Sequence, residues 1–362
     1  MFPPAVYTKD WIARASQKLD KQTNHALMLK CIYALTLLGK LQESGLPFVF
    51  KGGTCLLLHL PKIRRLSIDI DIVTGAGADE ITAAVNKIGN EEPFSKVVED
   101  DRGERDLPNR RHFKFYFKTA SVKEGQTHVL LDVVMEGDIA HDLVRKPIAT
   151  SFLTPDREIL VQVPTIDSLL GDKLNACSPT TTGVPIRKDD GTPGESMQVA
   201  KQLFDVGILL EHATDFARIS HVYAAIQAQE AKYRKKDIPK VASLNDSFSA
   251  CLGVSSQGRT TLPIFADTAL LLEGFKTLRG HVTWPNFGEA EMLVLTARAA
   301  ALAAHLRTDR AFDFTTARYT GNAAQLDALR AATLQGHEHA WLDGLKAVNA
   351  EAYHYWHMGL TL

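Results

Sequence analysis

Residues 48–75 read FVFKGGTCLLLHLPKIRRLSIDIDIVTG and place two carboxylates, Asp69 and Asp71, inside an apolar run with the pattern of a β-strand. Successive side chains of a strand alternate between faces, so both aspartates point one way and the neighbouring isoleucines point the other. Aspartate is disfavoured in strands, and two like charges at neighbouring positions repel. A divalent cation would compensate this charge, although an edge strand with both aspartates in solvent is an equally simple interpretation.

The segment before the aspartates carries groups that suit a polyphosphate. Lys51-Gly52-Gly53-Thr54 stands between a predicted strand, FVF, and a predicted helix. Glycines there let the backbone approach a phosphate closely, and the N–H groups that begin the helix can receive it. Four further polar side chains follow in KIRRLS, and these are Lys62, Arg64, Arg65 and Ser67. Tight turns also use glycine pairs, so this turn gains weight only beside the aspartates.

A third carboxylate interrupts another apolar run downstream. Asp132 lies within HVLLDVVM, which reads as a buried strand. If it came beside Asp69 and Asp71, the three acids would form a two-metal site, in which one ion activates an attacking oxygen and the other stabilises a leaving group. Magnesium is the expected ion because it prefers carboxylate and phosphate oxygens.

Composition bounds the class of protein. The chain has 362 residues, 45% hydrophobic and 23% charged, with a net charge of −1. These values are typical of a globular protein with two domains and argue against a polycation that binds nucleic acid by charge alone. The four cysteines have no disulfide or zinc spacing, and no run is long and apolar enough for a membrane span, so we expect a cytoplasmic protein with no membrane partner.

The pattern along the chain divides it into three parts. Residues 1–43 predict two helices that pack on the head, 44–164 predict this α/β head, and 165–362 predict a helical domain. The predicted class is therefore α+β, with a mixed sheet flanked by helices and a C-terminal helical domain. A loop rich in proline, glycine and threonine, 178–195, interrupts the helical domain and could act as a lid or guide an acceptor.

Four ordered motifs carry a family resemblance. KGGT with RLSIDID, the strand aspartate Asp132, LLGDKLNA, and KQLFDVGIL together resemble the AbiEii/AbiGii toxin nucleotidyltransferases of type IV toxin–antitoxin and abortive-infection systems. This family belongs to the polymerase-β-like nucleotidyltransferase superfamily, and the resemblance covers about residues 48–210. It implies a polymerase-β-like mixed sheet for the head.

The resemblance also implies a role for each matched residue. Asp69, Asp71 and Asp132 would be the catalytic acids and ligands of two Mg²⁺ ions, with Mn²⁺ as the alternative metal. The groups implied to bind the NTP are Lys51, Gly52, Gly53, Thr54, Arg65, Ser67, Lys173 and Asp205. Asp172 precedes the helix lysine, and Lys201 takes the basic position of the family's Arg-Asp-x-x-Asp helix. Gln202 departs from the family pattern, which often has aspartate there.

The implied function is Mg²⁺-dependent transfer of a nucleoside monophosphate from an NTP to an RNA acceptor, in particular the 3′ end of tRNA, which would block translation. A cognate antitoxin would be the protein partner. Three alternatives stay open: transfer to a protein or small-molecule hydroxyl, a non-catalytic NTP-binding regulator, and a gene product that is not toxic.

Two basic segments could contact an RNA acceptor. Arg110, Arg111, Lys114 and Lys118 could line a groove on the head, or belong to an exposed sheet face paired with nearby acids. The run AKYRKKDIPK, 231–240, could touch an RNA backbone, although a solvated helix end explains it as well. The C-terminal histidine pairs lack the HExxH arrangement of a zinc site and receive no role.

Overall fold

The structure is a computed structural model that describes residues 2–21, 23–100, 109–119, 125–137, 139–257 and 264–362. The chain forms two compact units: residues 1–165 with 280–286, here the N-terminal unit, and 166–279 with 287–362, the C-terminal unit. The three-part division at residues 43 and 164 stays a prediction. The basic segment that contains Arg110 reads RGERDLPNRRHFKFYFK over 102–118, and its residues 102–108 lie outside the described residues. In the described ranges, no helix combines the length and apolar character that a bilayer crossing requires.

The N-terminal unit combines helices with two sheets. Its helices are α1 (Lys9–Ser16), α2 (His25–Glu43), α3 (Gly52–His59) and α4 (Ala78–Gly89). Its strands are β1 (Val49–Lys51), β2 (Asp69–Thr74), β3 (Lys96–Glu99), β4 (Arg110–Lys118), β5 (Gln126–Met135), β6 (Leu143–Pro147) and β7 (Leu160–Pro164). The predicted helix pair, the glycine turn between strand and helix, and the two acid-bearing strands are confirmed. Strands β3 and β6 were not predicted.

Within the described residues, the main sheet has five strands in the order β1-β2-β5-β4-β3, and β6 pairs with β7 separately. Strands β2 and β5 run parallel, whereas the pairs β1–β2, β4–β5 and β3–β4 are antiparallel. The sheet is therefore mixed, and the predicted α+β class is confirmed. The parallel pair at its centre brings together the two strands that carry the aspartates.

One face of this sheet carries buried aromatic side chains of β4, and the other carries the aspartates. Phe113, Phe115 and Phe117 of β4 are buried, and Tyr33 of α2 stacks on Phe117 with ring centroids 3.5 Å apart. Alternation then places the even-numbered residues of β4 on the opposite face. We call the packed side the phenylalanine face and the opposite side, which carries Asp71, the acidic face.

Residues 280–286 belong to the N-terminal unit although the helices around them belong to the other unit. The Leu66 N–H donates to the His281 carbonyl at 2.9 Å, and the Thr283 N–H donates to the Arg64 carbonyl at 2.9 Å. Arg65 and Val282 form the antiparallel bridge between these two bonds. The segment thus supports the backbone that leads into the acids.

The C-terminal unit is helical, as predicted from residue 165 onward. Its helices are α5 (Ile166–Ala176), α6 (Ser196–Leu209), α7 (Phe216–Tyr233), α8 (Lys240–Ser256), α9 (Thr268–Leu278), α10 (Glu289–Thr308), α11 (Ala323–Ala331), α12 (Leu345–Val348) and α13 (Ala350–Leu360). Helix α10 is buried on nearly all sides and packs against α6, α8 and α13. Its alanines allow this close packing, because small side chains let neighbouring backbones approach. Helix α8 was not predicted.

The first residues of the loop 178–195 are hydrogen-bonded to α8. The carboxylate of Asp246 accepts hydrogen bonds from the Thr180 backbone N–H at 2.7 Å and from the Thr181 hydroxyl at 2.9 Å. Ser178 donates to the Ser243 carbonyl at 2.9 Å. Burial raises the pKa of Asp246, while these hydrogen bonds act in the opposite direction. The first turns of the loop are therefore fixed to the helical core.

Candidate active site

The three aspartates predicted from sequence lie on adjacent strands. In the parallel pair, Asp71 of β2 stands beside Asp132 of β5, and Asp69 stands beside Leu130. Residues paired in this way point to the same side of a sheet, and neighbouring strands are about 4.8 Å apart. All three side chains therefore belong to the acidic face, and each aspartate is half-buried.

The glycine turn fits closely against one of these acids. Gly52 begins α3 with φ at +79°, a backbone conformation that side chains rarely adopt, and a Cβ there would lie 1.9 Å from Oδ2 of Asp71. At Gly53, a Cβ would lie 2.6 Å from Nη2 of Arg65 and 3.0 Å from Oγ of Ser67. Gly52 is thus required by its backbone conformation and by close approach, whereas a side chain at Gly53 would displace the Arg65 guanidinium. The structure brings the turn, Arg65, Ser67 and Asp71 together.

Lys51 and Thr54 connect this turn to the acids in different ways. Lys51 pairs with Asp71 in the antiparallel β1–β2 ladder, so its side chain is on the acidic face. Thr54 is fully buried, and its hydroxyl donates to the backbone carbonyl of Asp69 at 2.6 Å. Thr54 therefore fixes the start of β2 through its side chain.

The two arginines before the acids have different environments. Arg65 is only 7% exposed, and Nη1 donates to the Leu66 carbonyl at 3.3 Å. Arg64 lies closer to the surface, 3.5 Å from Asp20 and with its guanidinium 4.5 Å from the ring centroid of Trp284. The Arg65 guanidinium thus lies against the glycine turn. The Arg64 guanidinium packs on Trp284 of the 280–286 segment.

One site residue, His112, was missed by sequence reasoning. It pairs with Asp132 in the β4–β5 ladder, and Nδ1 lies 2.5 Å from Oδ1 of that aspartate. An ionised carboxylate only accepts hydrogen bonds, so the histidine Nδ1–H is the donor. A row across four strands results, in the order Lys51, Asp71, Asp132, His112. The sequence did contain a signal for this residue. His112 is next to Phe113 in a strand whose phenylalanines recur at every second position, so it belongs to the face opposite them.

The donor set of the acidic face fits magnesium. Its carboxylates are hard oxygen donors, and Mg²⁺ is usually bound by one or two carboxylates together with substrate phosphates. Within the described residues, no group of three or more His, Cys, Asp or Glu side chains is already gathered closely enough to hold an ion by itself. Asp69 and Asp71 on β2, with Asp132 beside them, are the residues that would hold the metal.

The C-terminal unit brings two further predicted residues together. Lys173 of α5 and Asp205 of α6 form an ion pair of 2.7 Å, and their side chains are 7% and 1% exposed. Lys173 also donates to Oε1 of Gln202 at 3.2 Å. Gln202, which departs from the family pattern, thus still accepts a hydrogen bond from Lys173. It lacks the negative charge of the aspartate that the family often has there.

The basic segment on β4 divides between the two faces. Arg111 binds both carboxylate oxygens of Glu99 at 2.7 Å and the Ala78 carbonyl of α4 at 2.9 Å. It is paired with buried Val133, on the phenylalanine face. The hypothesis that Arg111 lines a groove with the other cations is therefore wrong, because its position has the opposite parity. Lys114 is on the acidic face and forms a 2.7 Å ion pair with Asp100.

One family profile and several solved structures are similar to this chain. The profile of the family described as nucleotidyl transferase AbiEii toxin, type IV TA system, matches residues 36–269. No curated protein gives a significant match. A solved structure, MenT4, nucleotidyltransferase toxin Rv2826c from Mycobacterium tuberculosis H37Rv, is 15% identical, with 83% of this chain and 99% of that chain covered and a TM-score of 0.48.

Two structures from Helicobacter pylori are also similar. JHP933 is 13% identical, with 83% of this chain and 97% of that chain covered and a TM-score of 0.37. A putative nucleotidyltransferase is 13% identical, with 80% and 98% covered and a TM-score of 0.38. The family match spans more than half of the chain and includes both acid-bearing strands, the glycine turn and the Lys173–Asp205 pair. The chain therefore belongs to the AbiEii family of nucleotidyltransferase toxins.

Proposed function

We propose that this nucleotidyltransferase uses Mg²⁺ to transfer a nucleoside monophosphate from an NTP to a hydroxyl of an RNA acceptor, in particular the 3′ end of tRNA. The product would no longer serve in translation, and a cognate antitoxin would restrain the enzyme. Two Mg²⁺ ions are proposed, with Mn²⁺ as the alternative. Asp69, Asp71 and Asp132 are the proposed catalytic acids.

The observation that carries this proposal is the register of the parallel pair, which sets Asp71 beside Asp132. The same Asp71 lies against the glycine turn at the start of α3. A phosphate held by the turn would therefore lie next to the acids. Phosphoryl transfer depends mainly on such positioning and on charge neutralisation, so this arrangement suits the reaction.

Residues of the turn would bind the triphosphate. The N–H groups at the start of α3, which begins at Gly52, and the Lys51 ammonium are donors for phosphate oxygens. Ser67 and Arg65 are proposed to contact phosphate as well, and Arg65 also lies close to Gly53 of the turn. Lys173, with Asp205 as its partner, is proposed as a further triphosphate contact. Bound Mg²⁺ would neutralise charge on the phosphates and lower the pKa of the attacking hydroxyl.

The chemical step balances as a simple displacement. The acceptor hydroxyl oxygen forms a bond to the α-phosphorus, the bond from that phosphorus to the bridging oxygen breaks, and pyrophosphate leaves with the electron pair. Asp132 is proposed to take the hydroxyl proton on Oδ2, since His112 donates to Oδ1. His112 would thereby hold the carboxylate in one orientation.

Incubation with each of the four NTPs, labelled at the α-phosphate, tests the proposal in a mixture of RNA, protein and metabolites. We expect label in RNA, near the tRNA 3′ end, and none after chelation of divalent metal. The Asp71→Asn variant should lose at least about 10²-fold in rate, whereas Asp156→Asn, at an exposed loop position of the same unit, should retain it. Label found only in protein or only in metabolites would show that the acceptor is not RNA.

Growth experiments test the toxic role. Induced wild-type protein should arrest growth, and the Asp71→Asn variant should not. Arrest by both proteins would favour a non-catalytic NTP-binding regulator, and growth with an active enzyme would remove the toxin role while leaving the chemistry intact.

A further inference from the structure

The acidic face continues along β4 and β5 beyond the aspartates. In register, His128 of β5 is opposite Tyr116 of β4, and Lys96 of β3 is opposite Tyr116 on its other side. Directly paired residues of antiparallel strands share a face. Because His128 has the same parity as Asp132, all three side chains lie on the acidic face. We call Tyr116, His128 and Lys96 the Tyr116 patch.

The members of the Tyr116 patch contact one another. The rings of Tyr116 and His128 have centroids 5.3 Å apart, and Nζ of Lys96 is 4.5 Å from the centroid of Tyr116. Both rings are partly exposed and Lys96 is exposed. Partial burial, together with Lys30 and Lys114, lowers the pKa of His128. A lowered pKa favours the neutral ring, and both rings present aromatic surface on this face.

The surroundings of the patch are basic. Lys114 and Lys118 are each two residues from Tyr116 along β4, so they lie on the same face. Lys118 is exposed, and Asp100 forms an ion pair with Lys114. Along β5, the four-residue separation of His128 from Asp132 corresponds to about 13 Å. An extended chain could therefore reach from the acids to the patch along one sheet face.

We propose that the Tyr116 patch binds a single-stranded nucleotide of the RNA acceptor, upstream of the reacting end, with the base packed against the two rings and the backbone beside Lys96 and Lys118. This rests on the proposed RNA acceptor. Unstacked bases on aromatic side chains, with lysines along the phosphates, are the usual basis of single-strand recognition. A duplex would lack unstacked bases and should bind less tightly.

Fluorescence anisotropy tests the patch without catalysis. The probe is a 5′-fluorescein-labelled RNA oligonucleotide with the sequence of a tRNA 3′ strand, titrated with the full chain in the absence of NTP and Mg²⁺. Tyr116→Ala should raise Kd by about fivefold to 150-fold, the range for loss of one base stack. Tyr116→Phe keeps the ring and should stay within about twofold of wild type. Unchanged thermal melting of both variants establishes folding.

Salt dependence tests the lysine contacts. Lys96→Ala should reduce the slope of log K against log salt by about 0.7, the value for one phosphate contact with a single strand. Lys87→Ala is the matched control. This exposed lysine is on α4, and the Ala78 carbonyl of α4 accepts a hydrogen bond from Arg111 on the phenylalanine face. Lys87 therefore belongs to the side of the sheet opposite the patch. The slope should not change in that variant.

The outcomes separate this proposal from the proposed function. Wild-type protein that does not bind the RNA, or a Tyr116→Ala variant that binds it as wild type does, overturns the patch even if RNA is labelled by the enzyme. Binding that depends on Tyr116 supports the patch even if no NTP is transferred. Loss of antitoxin binding in Tyr116→Ala with unchanged RNA binding would assign the surface to a protein partner and overturn the proposal.

Discussion

At the scale of single residues, Gly52 has the strictest requirement. Its φ of +79° disfavours any side chain, and a Cβ would lie 1.9 Å from Oδ2 of Asp71. Gly52→Ala should displace the carboxylate or the turn and lower kcat/KM by about 10²-fold, the typical cost of a misplacement near 1 Å. Steady-state kinetics with labelled NTP measures the loss. Gly137→Ala, where a Cβ would meet nothing within 4 Å, is the control, and equal activity of both variants would contradict the expected role of the turn.

His112 should matter through the acid that it orients. Its Nδ1 is 2.5 Å from Oδ1 of Asp132, and loss of such a partner usually costs about 10- to 100-fold in activity or metal affinity. His112→Ala should therefore lower kcat and raise the Mg²⁺ concentration for half-maximal activity, with little change in KM for the NTP. His112→Asn retains a donor and should recover part of the activity. Unchanged Mg²⁺ dependence in His112→Ala would show that the histidine is only structural.

Residue-scale prediction from sequence succeeded where spacing along one segment was enough. The alternation in SIDID predicts that Asp69 and Asp71 lie on one face, and the strand register agrees. The glycine turn in KGGT lies between a strand and a helix, as expected. His112 was missed because its partner is on another strand, and register is set by the pairing of whole strands. The buried pair of Lys173 with Asp205 equally required helix packing that no local pattern contains.

At the scale of elements, the contact of α6 with α10 depends on Gly207. A Cβ there would lie 2.6 Å from Cα of Leu295, an atom that cannot move by a change of rotamer. Gly207→Ala should lower the free energy of unfolding by about 1–3 kcal/mol through overpacking. Urea denaturation measures the change.

The control for this contact is Gly344→Ala. Gly344 has φ at −60° and ψ at −22°, and a Cβ there would meet nothing within 4 Å. That substitution should be neutral or stabilise by about 0.4–1 kcal/mol, because it restricts the unfolded chain. A Gly207→Ala variant as stable as wild type would mean that α6 and α10 pack differently.

Elements missed from the sequence share a weak pattern. Strand β3 is short and mostly exposed, and β6 reads LVRKP with a proline at its end. Neither has the alternation that identifies a half-buried strand. Helix α8 contains serines at several buried positions, among them Ser243 and Ser247. Ser178 bonds to the Ser243 carbonyl and to the Ser247 hydroxyl, so tertiary contacts allow polar residues where periodicity would require apolar ones.

At the scale of the whole molecule, buried and half-buried histidines should make stability depend on pH. Burial lowers the pKa of His59 from 6.5 to about 4, with Lys146 adding to the effect. Burial also lowers the pKa of histidines in both units, namely His128, His305, His339, His354 and His357. The unfolded chain therefore binds more protons below about pH 6.5, and stability should fall as the pH decreases from there toward 4.

Urea denaturation at about pH 7 and about pH 5 measures this dependence. His59→Gln removes one group and should reduce the slope by at most about 1.4 kcal/mol per pH unit. His25→Gln, on an exposed position at the start of α2, is the control and should leave the slope unchanged. Equal slopes in wild type and His59→Gln would show that His59 keeps its ordinary pKa.

The 280–286 segment joins the N-terminal unit from a late position in the chain. Arg64 and Leu66 share backbone hydrogen bonds with Thr283 and His281, which the ribosome adds much later. At about 5–20 residues per second, roughly 10 to 40 seconds separate the two events. A nascent chain would thus carry all three aspartates well before the 280–286 segment is made, which gives an interval in which the proposed antitoxin could meet the chain before this support is in place.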